Sequence, residues 1–231
     1  MPDGPWRCDI GRVKATTSFR RAAVAWAAGG EGGASAAEAA RARAADAGVR
    51  RVVLVEGDSD LVALEALAER RGRSLDAEGV SILPLGGAMS IGRFLALCGP
   101  AGLDVPVAGL CDAGEAHHFR RVLERTGSGP QHTRADLERL GFFVCDADLE
   151  DELIRSLRAE AVVDILGEQG DLRSFRTFQK QPAQRERGLP QQLRRFVGTR
   201  SGRKALYARA FVEHLDLDRV PRPLDGLLAH V

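Results

Sequence analysis

Two apolar runs in the sequence are each followed by carboxylates. One run leads into Glu56 and Asp60, and the other leads into Asp112 and Glu115. Carboxylates held close together repel one another, and a divalent cation between them relieves that repulsion. If the two runs form neighbouring parallel strands, Glu56 and Asp112 face one cleft at the carboxyl end of the sheet, with Asp60 on the first turn of the following helix and Glu115 close by. The pattern therefore predicts a magnesium site.

The acids after the first run also have a structural interpretation. Asp58 and Ser59 are typical helix caps, and Asp60 fits the first helical turn, where negative charge complements the helix dipole. Either strand-end acid alone is unremarkable. The site is favoured by the combination of V-x-V-E-G-x-S-D, a later L-G-G, and a further strand that ends in aspartate.

The elements that would position these acids alternate along the chain. Continuous or near-continuous apolar runs predict four strands, at 52–55, 80–85, 105–111 and 142–145. Helical spacing of apolar residues predicts helices at 61–70, 91–98 and 115–125, and a long helix at 149–166. Strands that alternate with helices through short loops predict an α/β fold with a parallel, doubly wound sheet of about four strands.

The segments on either side of this alternation have a different character. Residues 1–49 predict a helical and flexible N-terminal segment, whose alanine-rich helix at 35–47 starts with a capping box of Ser35 and Glu38. The strands lie within residues 50–168. Residues 169–231 show no further strand pattern and predict a small, basic helical subdomain.

Composition excludes several classes of protein. The chain has 231 residues, of which 44% are hydrophobic and 28% charged, as in a globular domain. No apolar run approaches the roughly 18 residues of a membrane-spanning helix, so no membrane contact is expected. The four cysteines form no C-x-x-C pair. This spacing suits a reducing cytoplasm better than a disulfide framework or a zinc site.

The formal net charge of +1 conceals a strong segregation of charge. Residues 148–171 contain eight acids and two arginines, whereas residues 173–209 contain eleven basic residues and one acid. Aromatic residues are interleaved with the basic ones: Phe175, Phe178, Phe196 and Tyr207. This composition binds phosphates and stacks on unpaired bases, and it is equally typical of an aromatic core beneath a solvated arginine surface. We predict nucleic-acid contact by four arginines: Arg194, Arg195, Arg200 and Arg203.

The strand-end motifs resemble a known domain. The segments Leu54–Asp60, Leu85–Gly87 and Ala108–Asp112 are similar to the Toprim domain of topoisomerases, primases and several nucleases. Within that group the sequence most resembles the overcoming-lysogenization-defect (OLD) nucleases, over about residues 50–231. The resemblance implies a Rossmann-like Toprim domain followed by a helical tail, which agrees with the periodicity.

The resemblance also implies roles for individual residues. Glu56, Asp60 and Asp112 would bind one or two Mg²⁺ or Mn²⁺ ions that drive phosphodiester cleavage. Glu150, in the acidic cluster after the fourth strand, would be a further ligand; the alternative is that this cluster only complements a helix dipole. Lys204 would stabilise charge on the scissile phosphate, and its alternative is a surface lysine.

One position departs from the pattern of the family. Most Toprim domains have Asp-x-Asp after the third strand, whereas here Gly114 replaces the second aspartate. Glu115 is the candidate substitute because its side chain is longer. Without a substitute, one of the two metal sites is weakened.

These inferences together predict a metal-dependent DNA endonuclease or nickase, with Glu56 and Lys204 as catalytic residues. The sequence around Lys204 lacks the spacing of a P-loop, so no ATP site is expected in this chain. Because OLD proteins usually carry an ATPase ahead of the Toprim module, the expected partners are DNA, a separate ATPase subunit and a second copy of the chain. The alternative is a non-catalytic nucleic-acid-binding or regulatory subunit.

Overall fold

A four-stranded parallel sheet forms the centre of the computed structural model, which describes residues 6–29, 33–127, 129, 133–198 and 203–231. The strands are β1 (Arg51–Val55), β2 (Val80–Pro84), β3 (Val107–Cys111) and β4 (Phe142–Val144). Their order is β2-β1-β3-β4, with all neighbours parallel. The predicted α/β class and the parallel sheet are confirmed.

Helices occupy most of the remaining described chain. The first six are α1 (Trp6–Ala28), α2 (Gly33–Ala47), α3 (Asp58–Arg70), α4 (Ile91–Cys98), α5 (Ala116–Arg125) and α6 (Arg134–Arg139). The others are α7 (Leu149–Leu157), α8 (Ala159–Glu168), α9 (Leu172–Gln179), α10 (Leu189–Gly198), α11 (Arg203–His214) and α12 (Arg222–His230). Short 3₁₀ turns lie at 88–90, 182–184 and 217–219.

The helices cover both faces of the sheet. Successive strand residues point to opposite faces, so Val53 and Val55 of β1 pack with α3, α7, α8 and α10–α12. Val52 and Leu54 pack with α1, α2, α4 and α5 on the other face. Because β1 is buried on both faces, its sequence is continuously apolar rather than alternating.

Strand β3 approaches its neighbours closely at Gly109. A Cβ atom there would lie 2.9 Å from both the Leu54 carbonyl oxygen of β1 and Phe142 Cδ1 of β4. Only glycine therefore allows β3 to fit between the two strands at this point. This close fit fixes the end of β3 relative to the end of β1.

The single long helix predicted over 149–166 is wrong. The structure has two helices, α7 and α8, separated at Arg158, whose φ is 68°. The change of direction lets Leu153 of α7 and Leu166 of α8 pack into the same core. The apolar period continues across the break, so periodicity could not reveal it.

Two helix starts also differ from the sequence analysis. Helix α2 begins at Gly33, two residues before the predicted cap, so Ser35 and Glu38 do not form the start of the helix. Helix α6 was not predicted, because six residues are too short to show a period. It is set by a capping box in which Thr133 and Asp136 each accept a hydrogen bond from the other's backbone N–H.

The C-terminal part of the described chain is helical, as predicted. Helices α10, α11 and α12 share one hydrophobic core with the sheet. The domain boundaries at residues 49/50 and 168/169 stay predictions. None of the helices in the described chain has the length and apolar character needed to cross a membrane.

Candidate active site

Two of the predicted acids follow adjacent strands. Glu56 comes directly after β1 and Asp112 directly after β3, and these strands pair in parallel. The helix after β1 covers one face of the sheet and the helix before β3 covers the other. This is the topological switch point at which open α/β sheets bind ligands. The Asp112 backbone N–H donates a hydrogen bond of 2.7 Å to Glu56 Oε1, which joins the two strand ends.

Asp60 lies in the first turn of α3 and is 7% exposed. Its Oδ2 accepts a hydrogen bond of 2.9 Å from the Gly57 backbone N–H. The side chain therefore stabilises the start of α3, as the structural interpretation of the sequence suggested, and it also faces the cavity described below. The two roles coexist.

Glu150 and Lys204 come from two further helices. Glu150 is in the first turn of α7 and is 5% exposed, and Lys204 is the second residue of α11. Lys204 Nζ lies 3.2 Å from Glu150 Oε1. That oxygen is buried and accepts no well-directed hydrogen bond, so the contact is an ion pair.

These five side chains meet in one cavity of about 370 Å³, whose lining includes Glu56, Asp60, Asp112, Glu150 and Lys204. They come from two strand ends and the first turns of three helices. The sequence separations are large, so the tertiary fold alone brings the side chains together.

Burial and mutual repulsion raise the pKa values of three acids of the cavity, Glu56, Asp60 and Asp112. For Asp112, burial is the largest cause and the charges of Glu56 and Asp60 add to it; together they raise the pKa to about 8. Burial raises the pKa of Asp60 to about 7, although the Gly57 N–H favours its charged form. Burial also raises the pKa of Glu56 against the opposing hydrogen bond from Asp112. A bound cation would reverse these effects.

Asp112→Asn should stabilise the metal-free protein at neutral and alkaline pH. Because the folded state raises the pKa of Asp112 to about 8, it binds this proton more tightly than the unfolded chain does. The free energy of unfolding therefore falls as the pH rises from about 4 towards 8, and the variant avoids this loss. We expect its Tm in EDTA to exceed the wild-type value by about 3 °C or more at pH 9, with the difference closing towards pH 4. Equal melting curves at every pH would contradict the burial of this charge.

The donor set of the cavity fits a hard divalent cation. Carboxylate oxygens are the ligands that Mg²⁺ and Mn²⁺ prefer, and Glu150 Oε1 is a buried oxygen with no well-directed hydrogen bond. In the described part of the chain, no three acidic, histidine or cysteine side chains stand close enough together to hold an ion as they are placed. A cation held by the acids that line the cavity would need their carboxylates to move closer together.

Glu115 does not line this cavity. It precedes α5, its side chain is 43% exposed, and its carboxylate lies 3.6 Å from His118 Nε2. Its charge is near enough to help raise the pKa of Glu56. A Cβ atom at Gly114 would meet nothing within 4 Å. Packing therefore does not exclude an acid at the position where most Toprim domains have one.

Asp148 and Arg194 form a contact that the sequence analysis missed. Asp148 caps α7, accepting a hydrogen bond from the Asp151 backbone N–H, and Arg194 Nε donates to its Oδ2 at 2.7 Å. Arg194 Nη2 lies 2.5 Å from the same oxygen. This contact holds the first turn of α7, and so Glu150, against α10. An aspartate directly before a helical pattern was the available signal for the cap.

The other predicted arginines have different surroundings. Arg195 is exposed beside a groove of about 540 Å³ that is also lined by Arg187 and Lys204 and thus adjoins the acidic cavity. Arg203 lies 2.8 Å from Asp171 and over the ring of Phe196. Arg200 lies outside the described residues.

The aromatic residues of the basic segment are mostly internal. Phe175 and Tyr207 are fully buried, Phe196 is nearly so, and only Phe178 is partly exposed. The Tyr207 hydroxyl donates to Asp171. The interpretation of these residues as a helical core is correct for the three buried rings, which have no exposed face for base stacking.

Comparison with known proteins identifies related domains. Residues 49–113 match a family described as overcoming lysogenization defect protein-like, TOPRIM domain. A solved structure of the C-terminal region of the Xanthomonas campestris pv. campestris OLD protein, phased with platinum, is similar with a TM-score of 0.60 and 26% identity. The match covers 79% of this chain and 92% of that chain. No curated protein matches the sequence.

Two further structures agree. The same Xanthomonas region phased with mercury gives a TM-score of 0.59 and 27% identity over 79% of this chain and 94% of that chain. The C-terminal region of the Burkholderia pseudomallei OLD protein, at 22% identity, shares the fold with a TM-score of 0.57 over 79% of this chain and 96% of that chain. The segment that matches the family runs from before β1 to just past Asp112 and so includes three of the four buried or half-buried acids of the cavity.

Proposed function

Because the chain contains an OLD-like TOPRIM domain, consistent with a family of nucleases, we propose that it is a metal-dependent endonuclease or nickase that cleaves DNA. The observation that carries the proposal is the meeting of four buried or half-buried carboxylates and one lysine in a single cavity at the switch point of the sheet. Nothing in the core of the fold requires these five charges to be together. Repulsion between the carboxylates, together with their burial, lowers the stability of the metal-free protein. A functional site accounts for the presence of such an arrangement.

The proposed ligands are Glu56, Asp60, Asp112 and Glu150, which would hold one or two Mg²⁺ or Mn²⁺ ions. Bound there, such ions supply an activated water and stabilise the leaving oxygen in phosphodiester cleavage. The Asp112 N–H keeps Glu56 oriented towards the strand end. Lys204 places a positive charge at the mouth of the same cavity, where it would offset negative charge that develops on the scissile phosphate.

The groove beside the cavity is the proposed path of the DNA backbone. Arg187, Arg194 and Arg195 line it, and Glu150 and Lys204 line both the groove and the cavity. A phosphate chain that follows the arginines therefore reaches the carboxylates. Cytoplasmic location, a separate ATPase subunit and a homodimer remain part of the proposal.

A plasmid assay tests this function. Supercoiled DNA should be converted to nicked or linear forms with Mg²⁺ or Mn²⁺ and not with EDTA. Asp112→Ala should abolish both the cleavage and the calorimetric signal of metal binding while the fold persists. Full activity in EDTA, or normal metal binding by the variant, would overturn the assignment.

The second candidate is a non-catalytic DNA-binding or regulatory subunit, and the observation in its favour is Gly114. If the missing carboxylate disables the site, DNA binding should occur without cleavage. Gly114→Asp should then create or strengthen metal binding, since open space surrounds that position. Cleavage by the wild-type protein that is lost in Asp112→Ala would exclude this candidate.

Arg195→Ala should weaken DNA binding to a similar degree for every sequence. Each phosphate contact releases counterions, so the slope of log K against log salt should decrease in magnitude by about 0.9. Arg194→Ala should change the slope less, because its guanidinium is already paired with Asp148. Fluorescence anisotropy at several salt concentrations measures both variants. An unchanged slope in Arg195→Ala would place that residue away from the DNA.

A further inference from the structure

Lys204 contacts a carboxylate that a metal ion in the cavity would also use. Its ammonium is 3.2 Å from Glu150 Oε1, a buried carboxylate oxygen that accepts no well-directed hydrogen bond. Among the described residues, Lys204 is the cation that forms an ion pair with an acid lining the cavity, and that acid is Glu150. It therefore partly neutralises a cluster of four buried or half-buried carboxylates.

Glu150 Oε1 cannot bind both a metal ion and the Lys204 ammonium as strongly as it would bind either one alone. A Mg²⁺ ion coordinates carboxylate oxygens at about 2.0–2.1 Å and keeps a shell of water around it. An ammonium at ion-pair distance from the same oxygen would repel that ion across a partly buried site. Glu150 would therefore hold a cation more weakly while Lys204 stays in place, and movement of Lys204 away from Glu150 would relieve the repulsion.

The surroundings of Lys204 permit this movement. Its side chain is 48% exposed and lines both the acidic cavity and the groove that contains Arg187, Arg194 and Arg195. Lysine carries its charge on a flexible four-carbon stem. A Cβ atom at Gly198 would lie 3.7 Å from Lys204 Cε, so the missing side chain leaves room beside the stem. The ammonium can thus leave Glu150 and enter the groove without unfolding α11.

We propose that Lys204 and a divalent cation compete for Glu150, so that Lys204 limits metal affinity in the free protein and is released into the groove when metal binds. This inference rests on the proposed function for the presence of a metal. It adds a second role to Lys204, which becomes available to a substrate phosphate only after the metal has displaced it. Binding of the metal and movement of the Lys204 ammonium towards the substrate phosphate then occur together.

Calorimetry gives the first test. Titration of Mg²⁺ and Mn²⁺ into Lys204→Gln should show binding about tenfold tighter than in the wild type, because a competing and repelling charge is gone. Lys180→Gln removes a positive charge at an exposed position outside the cavity, and it should change the metal affinity by less than about twofold. Circular dichroism confirms that each variant is folded.

A lysine-specific NMR experiment gives the second test. The chain has three lysines, Lys14, Lys180 and Lys204, so labelling lysine with ¹³C gives three Cε signals, assigned with single Lys→Arg variants. Addition of Mg²⁺ should shift the Lys204 signal and leave the other two unchanged.

Two outcomes separate this inference from the function on which it rests. Equal Mg²⁺ affinity in wild type and Lys204→Gln, or an unmoved Lys204 signal while calorimetry shows bound Mg²⁺, would overturn the competition and leave the metal site intact. No divalent-ion binding by either protein would overturn the metal site itself.

Discussion

Glu56→Gln should reduce metal-dependent DNA cleavage by on the order of 10³-fold, measured as a single-turnover rate at saturating DNA. The amide keeps an oxygen that can accept the Asp112 N–H, so the strand ends should stay joined. What is lost is the negative charge at the switch point between β1 and β3. We also expect calorimetry to show metal binding weaker by at least about tenfold.

Glu152→Gln is the matched control for this prediction. Glu152 is a buried glutamate, whereas Glu56 is half-buried. The Glu152 carboxylate accepts hydrogen bonds from the Asp146 backbone N–H and from Arg155, and it does not line the cavity. The change should lower Tm while leaving metal affinity within a few fold. A Glu56→Gln protein that cleaves normally would remove Glu56 from the site, whatever happens in the control.

Lys204→Ala should lower the single-turnover rate of cleavage by about 10²-fold or more, with the DNA dissociation constant within a few fold. A charge that acts on the developing oxyanion contributes to the chemical step more than to binding. Lys204→Arg should restore only part of the rate, because the planar guanidinium places its charge differently from a compact ammonium.

Three results can be told apart by measuring rate and affinity on the same proteins. A surface lysine would give near-normal values in both variants. A lysine that only grips DNA would lose affinity and still cleave normally at saturating DNA. A normal saturated rate in Lys204→Ala would therefore exclude the catalytic role. Lys180→Ala, an exposed lysine outside the cavity, serves as the control.

The acids of the switch point could be predicted because their signals are local. A strand buried on both faces is recognisable from four consecutive apolar residues, and an acid directly after it must lie at the edge of the sheet. Glu56 and Asp112 needed only the further assumption that the two strands are neighbours. The order β2-β1-β3-β4 satisfies it.

The remaining features depended on tertiary contacts. The partner of Arg194 is Asp148, 46 positions away, and nothing in the basic segment shows that this arginine is paired while Arg195 lines the groove from an exposed position. The break at Arg158 serves the packing of two helices rather than any local preference. Likewise, arginines with aromatics are compatible with a core and with a stacking surface, and only burial separates the two.

The site residues are far apart in the sequence, and this spacing affects the stability of the protein in the cell. The site residues come from separate parts of the fold: Glu56 follows β1, Glu150 is in α7 and Lys204 is in α11. The unfolded chain therefore has no comparable arrangement of ligands. An ion held by these acids would act as a reversible cross-link between distant segments and stabilise the folded state alone, by about 2.7 kcal/mol when free metal exceeds its Kd a hundredfold. Depletion of the metal would then do more than stop the chemistry. It would raise the fraction of unfolded chains open to proteases, so that abundance as well as activity follows the supply of the ion.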